Sequence, residues 1–380
     1  MQNYKNLLRH TFYGNFDTGV LLIFLSFFIW DESKTMFAVA IAFMIPVFIN
    51  TIIDYFFSEL SDRGNRIRLI VIGNVGSAFF LSLYGLSTSI YMLYGLIFIK
   101  SLFAKIYNTS LSPFIREAIK EEDYKSFIAK LNVKGSVGAA VGGFTLMMVY
   151  LYTKNLSLIF LISGSIELFS TLFLVRLKLV QYNLKKKKED EEDIKWFKNI
   201  TIIYTIKAFG IALIMNRIII SLHDIHIISI EYVGLIFFVT YGVSKIIAAQ
   251  IYDWFSKVKI QQMLIFSFVV QAIALLLFSI ISELYFIIGV LFIYELVDNI
   301  TFIYTSDRIN KSLFTSIGKK LSKFRIIIAF GSIAGQLIIG QIWDRVGVSE
   351  TFYFTSLILM VLVVIIIIRK DELKITSDKN

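Results

Sequence analysis

Leu184-Lys-Lys-Lys-Lys-Glu-Asp-Glu-Glu-Asp193 is the only long charged run in a chain of 380 residues. On both sides of it, long apolar stretches alternate with short polar ones. Six stretches precede it, at about 10–30, 35–57, 69–87, 89–111, 126–152 and 156–176. Six follow, at about 198–220, 232–252, 261–281, 285–306, 324–343 and 351–369. Most hold about 20 residues, the length an α-helix needs to cross a hydrocarbon core about 30 Å thick. The expected fold is an all-α membrane protein of twelve transmembrane helices. Residues 1–176 form one six-helix bundle, 177–197 a charged cytoplasmic linker and 198–380 a second six-helix bundle. The run itself reads as solvated linker rather than as a site for acidic lipid.

Composition agrees with a life in lipid. The chain is 57% hydrophobic and 17% charged, with a mean hydropathy of +0.72, more apolar than a soluble domain. The net charge of +10 raises the question of nucleic acid, and location answers it. Only Lys34, Lys154 and Arg345 fall in the loops on one side, and Lys100, Lys105, Lys207, Arg217 and Lys245 fall within spans. The remaining Lys and Arg lie on the other side, with both termini and the linker. By the positive-inside bias that side is cytoplasmic, so the charge reports topology and no nucleic acid is expected.

The absence of cysteine excludes disulfides, thiolate metal sites and lipidated cysteine anchors. His10, His223 and His226 are too few for a histidine metal site, so neither metal nor cofactor is expected. Lys5, Arg9 and His10 precede the first stretch as in a signal peptide, but no small-x-small cleavage site follows Trp30. An uncleaved first helix is expected. Trp30, Trp196, Trp254 and Trp343 fall at span ends, as interfacial anchors do. The abundance of Ile, Lys, Phe and Asn suggests an AT-rich bacterial genome. A monomer in the plasma membrane follows as the expectation.

Lys100, Glu167, Lys207 and Glu295 each lie about ten residues into an apolar stretch, near mid-membrane. A charge there costs roughly 2.5–3.5 kcal/mol and usually faces a polar cavity or a partner. The two halves also echo each other. Gly135-Ser-Val-Gly-Ala-Ala-Val-Gly-Gly143 answers Gly331-Ser-Ile-Ala-Gly-Gln-Leu-Ile-Ile-Gly340, and Tyr107 and Tyr304 precede the two Gly-Ser pairs by nearly the same spacing. Asp62, after the second stretch, answers Asp253, after the eighth. Parallel six-helix repeats are one transporter architecture.

After the second stretch the chain reads Ser58-Glu-Leu-Ser-Asp-Arg-Gly-Asn-Arg-Ile-Arg68. This resembles the major facilitator superfamily motif Gly-x-Leu-x-Asp-Arg-x-Gly-Arg-Lys/Arg. Leu60, Asp62, Arg63 and Arg66 match; Ser58 and Asn65 replace its glycines and Ile67 a basic residue. The resemblance implies a gating role for Asp62, Arg63 and Arg66, with Asp253 their counterpart. Gly138-Ala-Ala-Val-Gly-Gly143 is similar to the superfamily's antiporter signature, with Ala139 in place of its proline. Gly135, Gly138, Gly142 and Gly143 are candidate helix-packing residues. Ser112-Pro-Phe-Ile-Arg-Glu-Ala-Ile119, Tyr124 to Gly143, and Tyr232 to Gly242 resemble macrolide-efflux and enterobactin-exporter relatives.

The resemblance also implies a central cavity lined by helices 1, 4, 7 and 10. Here these carry Asp17; Lys100, Lys105 and Asn108; Lys207, Asn216 and Arg217; and Glu295, Asp298 and Asn299. Glu295 and Asp298, spaced i, i+3, share a helix face. Two carboxylates held together out of water compete for a proton, so they are candidate proton carriers, with Asp17 the next candidate. They are equally placed for an ion pair with Lys100 or Lys207. The basic groups Lys100, Lys105, Lys207 and Arg217 outnumber the acidic Asp17, Glu295 and Asp298, which favours an anionic or zwitterionic solute. No phosphate-binding loop, His-Glu-x-x-His or Gly-x-Ser-x-Gly motif occurs, so no catalytic activity is expected.

These features describe a secondary transporter exporting a small organic molecule by alternating access, coupled to protons as drug or macrolide antiporters are. Export of an anionic metabolite, such as a carboxylate siderophore, is the alternative. A non-transporting sensor or membrane-embedded enzyme is the rival of another class.

Overall fold

The computed structural model describes residues 2–63, 66–119, 121–178, 191–224, 228–255, 258–281, 283–312 and 317–369. Among the described residues, twelve helices are long and apolar enough to cross a membrane: α1 (Asn3–Ser33), α2 (Met36–Ile53), α3 (Arg66–Leu86), α4 (Ile90–Ile115), α5 (Ser126–Thr153), α6 (Leu156–Val175), α7 (Trp196–Asp224), α8 (Tyr232–Ile251), α9 (Ile260–Ile280), α10 (Leu284–Thr305), α11 (Phe324–Arg345) and α12 (Val348–Ile368). No strand occurs among the described residues.

The helices are turned with polar groups inward. On α6, Ser163, Glu167, Ser170 and Thr171 are buried, while Leu161, Leu168, Phe169, Leu172 and Val175 are exposed. On α12, Thr351, Thr355 and Ser356 are buried and Leu357, Val361, Val364 and Ile367 are exposed. A water-soluble bundle would reverse both patterns. With hydrocarbon as the solvent, exposed apolar groups cost nothing and polar groups need protein partners. The tryptophans correct the anchor expectation. Trp30, Trp196 and Trp343 are buried and only Trp254 is exposed, because position along a helix does not set which way a side chain faces.

The chain forms two compact units, Met1–Leu184 with Ile218–Phe238, and Lys185–Arg217 with Val239–Asn380. Residues 218–224 and 228–238 cluster with the first unit, where the Phe27 and His223 rings meet edge to face at 5.1 Å. Of the linker, residues 179–190 lie outside the described part.

Small residues set the same contact in both units. A Cβ on Gly138 of α5 would stand 2.0 Å from the Phe12 carbonyl oxygen of α1, and one on Gly142 2.5 Å from Phe16 Cα. On α11, Gly331 and Gly335 meet the carbonyl oxygens of Thr205 and Phe209 of α7 at 2.4 and 2.2 Å by the same measure. The helix pairs α1–α5 and α7–α11 thus occupy matching places in the repeat. Gly138→Leu and Gly335→Leu are expected to cost about 1–3 kcal/mol or more by overpacking. Gly95→Ala and Gly289→Ala, where an added methyl meets nothing within 4 Å, should be neutral or stabilising by up to about 1 kcal/mol. Unfolding of the four variants in detergent checks this, and equal midpoints would refute the close approach.

Irregular turns mark α1, α7 and α8. Helix α1 bends at Asn15, whose side chain donates to Thr11 O at 2.7 Å, and winds into a π-helical turn at Leu21–Leu25. Helix α7 breaks over residues 211–213, with Leu213 left-handed at φ 58°. Helix α8 carries a π-helical turn at Phe238–Val243. Departures of this kind concentrate at functional positions.

Candidate functional site

Each unit ties its first and fourth span together with an ion pair. In the first, Lys100 Nζ of α4 lies 3.3 Å from Asp17 Oδ2 of α1, both side chains 12% exposed. Asp17 stands two residues past the bend at Asn15. In the second, Lys207 Nζ of α7 lies 2.6 Å from Asp298 Oδ1 of α10, just before the break at 211–213. The polarity is reversed: the first span supplies the acid in one unit and the base in the other. Lys207 is further held over the Phe268 ring at 5.5 Å and the Tyr204 ring at 5.8 Å. Gln271 of α9 donates to Asp298 at 2.9 Å. Close pairing with hydrogen bonds is what a buried charge requires.

Beside each pair lies a buried glutamate without an ion pair among the described residues. Glu295 of α10 is 6% exposed. The Asn299 amide donates to its backbone oxygen at 2.7 Å, reaches its Oε2 at 3.5 Å and donates to Ser244 of α8 at 3.2 Å. Asp298, Lys245 and Lys207 are the charges that act on Glu295. Lys245 does not pair with it; its ammonium sits over the Tyr241 ring, 3.8 Å from the centroid, and donates to the Tyr241 hydroxyl. In the first unit Glu167 of α6 is 7% exposed, with Asp17 and Lys100 acting on it.

Arg217 has a different setting. It is fully buried and donates to Thr351 O at 2.9 Å and Thr355 Oγ1 at 3.0 Å, both on α12. Its guanidinium stacks 5.4 Å from the Phe352 ring. The Thr355 hydroxyl donates to Gly210 O at 2.8 Å, a carbonyl at the helix break. Thr355, held by Arg217, thus satisfies a carbonyl where α7 is interrupted.

A sequence model of the Major Facilitator Superfamily matches residues 11–313. The chain belongs to the major facilitator superfamily. No curated protein matches it in sequence. Among solved structures, the nucleoside transporter NupG aligns with a TM-score of 0.74 and 13% identity, over 99% of this chain and 100% of that one. A bacterial homolog of the human lysosomal transporter Spinster, inward-facing and occupied, aligns with a TM-score of 0.79 and 11% identity, over 99% and 97%. The human organic anion transporter MFSD10 (TETRAN) aligns with a TM-score of 0.66 and 13% identity, over 96% and 99%. At such identities these similarities carry the fold alone.

Among the residues singled out on the superfamily's four cavity helices, the structure joins Asp17 with Lys100, Lys207 with Asp298, and Glu295 with Asn299. Lys105 and Asn216 are buried and Asn108 is exposed. Of the superfamily loop motif, Arg66 opens α3, half-buried. The side chains of Asp62, Arg63 and Asp253 lie outside the described residues, as does His226. Gly135 faces Thr11 and Asn15 of α1, and Gly143 is buried. Sequence reasoning did not assign Gln271, Tyr204, the His10–Tyr107 contact at 2.6 Å, or Asn74 of α3, which donates to Glu167 O at 3.2 Å and Thr171 Oγ1 at 2.7 Å. Gln271 had a signal, an amide in the middle of an otherwise apolar span.

Proposed function

We propose that this chain is a secondary transporter that exports a small organic molecule by alternating access in exchange for protons. The observation that carries the reading is Glu295, a buried carboxyl with no ion pair among the described residues, flanked by Lys245, Lys207 and Asp298. Such a group takes up and releases a proton when its surroundings change. The Lys207–Asp298 pair holds the adjoining helices while it does so. Intramembrane charges are costly enough that they persist where a pathway uses them.

The cargo is a neutral or weakly basic compound of the drug or macrolide kind. The anionic alternative drew on an excess of lysine, but Lys100 and Lys207 each lie against a carboxylate, which offsets their charge. The test uses purified protein in liposomes with a trapped pH dye and an imposed pH gradient. A macrolide, a nucleoside and a carboxylate siderophore are offered in turn. Proton movement driven by the macrolide supports the reading. Movement driven only by the siderophore, or by none, contradicts it.

The protein resides in the plasma membrane of a bacterium with both termini and the linker cytoplasmic, as the Lys/Arg bias favours. In this cysteine-free chain, a single cysteine placed at residue 190 should react with an impermeant reagent only after permeabilisation. Labelling in intact cells would reverse the orientation.

A further inference from the structure

Around Lys100 stand two carboxylates, Asp17 and Glu167. The ammonium lies 3.3 Å from Asp17. Glu167 pairs with no cation among the described residues. The Ser77 hydroxyl of α3 bonds to its side chain, and its Oε2 is buried with no hydrogen-bond partner. Ser163, four residues earlier on the same face of α6, is a second buried oxygen without a partner.

Two carboxylates and one ammonium leave one negative charge out of water. Lys105 of α4 is also buried but is not among the charges that act on Glu167. His10, which is 2% exposed, is a further buried basic group of this unit, and its bonding requires no charge. A neutral ring with Nδ1–H donating to the Ser170 carbonyl at 3.3 Å and Nε2 accepting from the Tyr107 hydroxyl at 2.6 Å satisfies both partners. Tyr84, at the end of α3, is, like Tyr107, a titratable group on which Glu167 acts. It is neutral unless it gives up a proton, so it supplies no positive charge. An ionised carboxylate collects several donors when buried, and Glu167 has one.

We infer that Glu167 is a protonation site of the first unit, a neutral acid in this arrangement that ionises when Lys100 is shared between it and Asp17. Three N–H groups allow one ammonium to serve both carboxylates. On protonation the carboxyl gains an O–H and Lys100 returns to Asp17; on deprotonation that O–H bond breaks and the proton leaves to water. Each unit then contains the same set, one Lys–Asp pair and one titrating glutamate: Glu167 beside Lys100–Asp17, and Glu295 beside Lys207–Asp298.

The inference rests on proton exchange as proposed above, but its test needs no cargo. Infrared difference spectra of the purified protein in liposomes, recorded as pH is stepped, show the C=O stretch of any carboxylic acid that titrates. The wild type should show two components. Glu167→Gln should lose one and Glu295→Gln the other. A Glu167→Gln spectrum identical to wild type overturns the inference. If Glu167→Gln does not fold, Glu167→Asp keeps a carboxyl on a shorter stem and should shift one component in frequency; an unshifted pair overturns the inference equally. Loss of the Glu167 component in a protein that never moves protons with cargo leaves the site standing and removes only the exchange reading.

Discussion

Lys100→Met is expected to destabilise the protein by about 3–5 kcal/mol, the usual cost of removing one partner of a buried pair. Asp17 and Lys100 are each 12% exposed, so water does little for the carboxylate left behind. Two acids, Asp17 and Glu167, would then share one apolar setting with no cation. Adding Asp17→Asn to Lys100→Met should recover most of the loss. The coupling energy from the double-mutant cycle should exceed about 2 kcal/mol, against additivity within about 0.5 kcal/mol for independent sites. Unfolding by detergent titration in mixed micelles provides the measurement. Additive effects would show that the pair does not hold α1 to α4.

Glu295→Gln should remove the response of transport to a pH gradient and leave substrate exchange without a gradient intact. Glutamine retains an oxygen for the Asn299 amide and keeps the shape of the side chain, so the fold has little reason to change. What it lacks is a proton that comes and goes. Asp298→Asn should behave differently, because it strips Lys207 of the carboxylate 2.6 Å away and leaves a buried cation. Its first effect is lost stability, followed by loss of every transport mode. On the proposed reading the adjacent carboxylates divide the work that spacing alone assigned to them jointly, Asp298 pairing with Lys207 and Glu295 carrying the proton.

The span pattern was legible because a 20-residue apolar run has few other uses, and the twelve helices fall close to the stretches marked in the sequence. Position along a span was legible too, since counting from a span end places Lys100 within α4 and Glu295 within α10. Rotation was not. Nothing along the chain says that Asp17 faces Lys100, or that Arg217 turns toward Thr351 and Thr355 of α12 rather than toward the cavity helices. The α7 break was hidden for another reason. Gly210 hints at it, but the left-handed residue is Leu213, which no turn rule favours; the Thr355 hydroxyl of α12 bonds to the nearby Gly210 carbonyl. Glu167 was visible as a mid-span charge, yet it sits on α6, off the four helices that the superfamily resemblance selects.

The most direct test is the proton flux of liposomes carrying wild-type protein or Glu295→Gln, with a trapped pH dye and a macrolide supplied under an imposed gradient. The account predicts macrolide-dependent proton movement in the wild type, at least about tenfold less in Glu295→Gln (more than about 1.4 kcal/mol of coupling lost), and unimpaired macrolide exchange at zero gradient in both. Equal proton movement in the two proteins would contradict it.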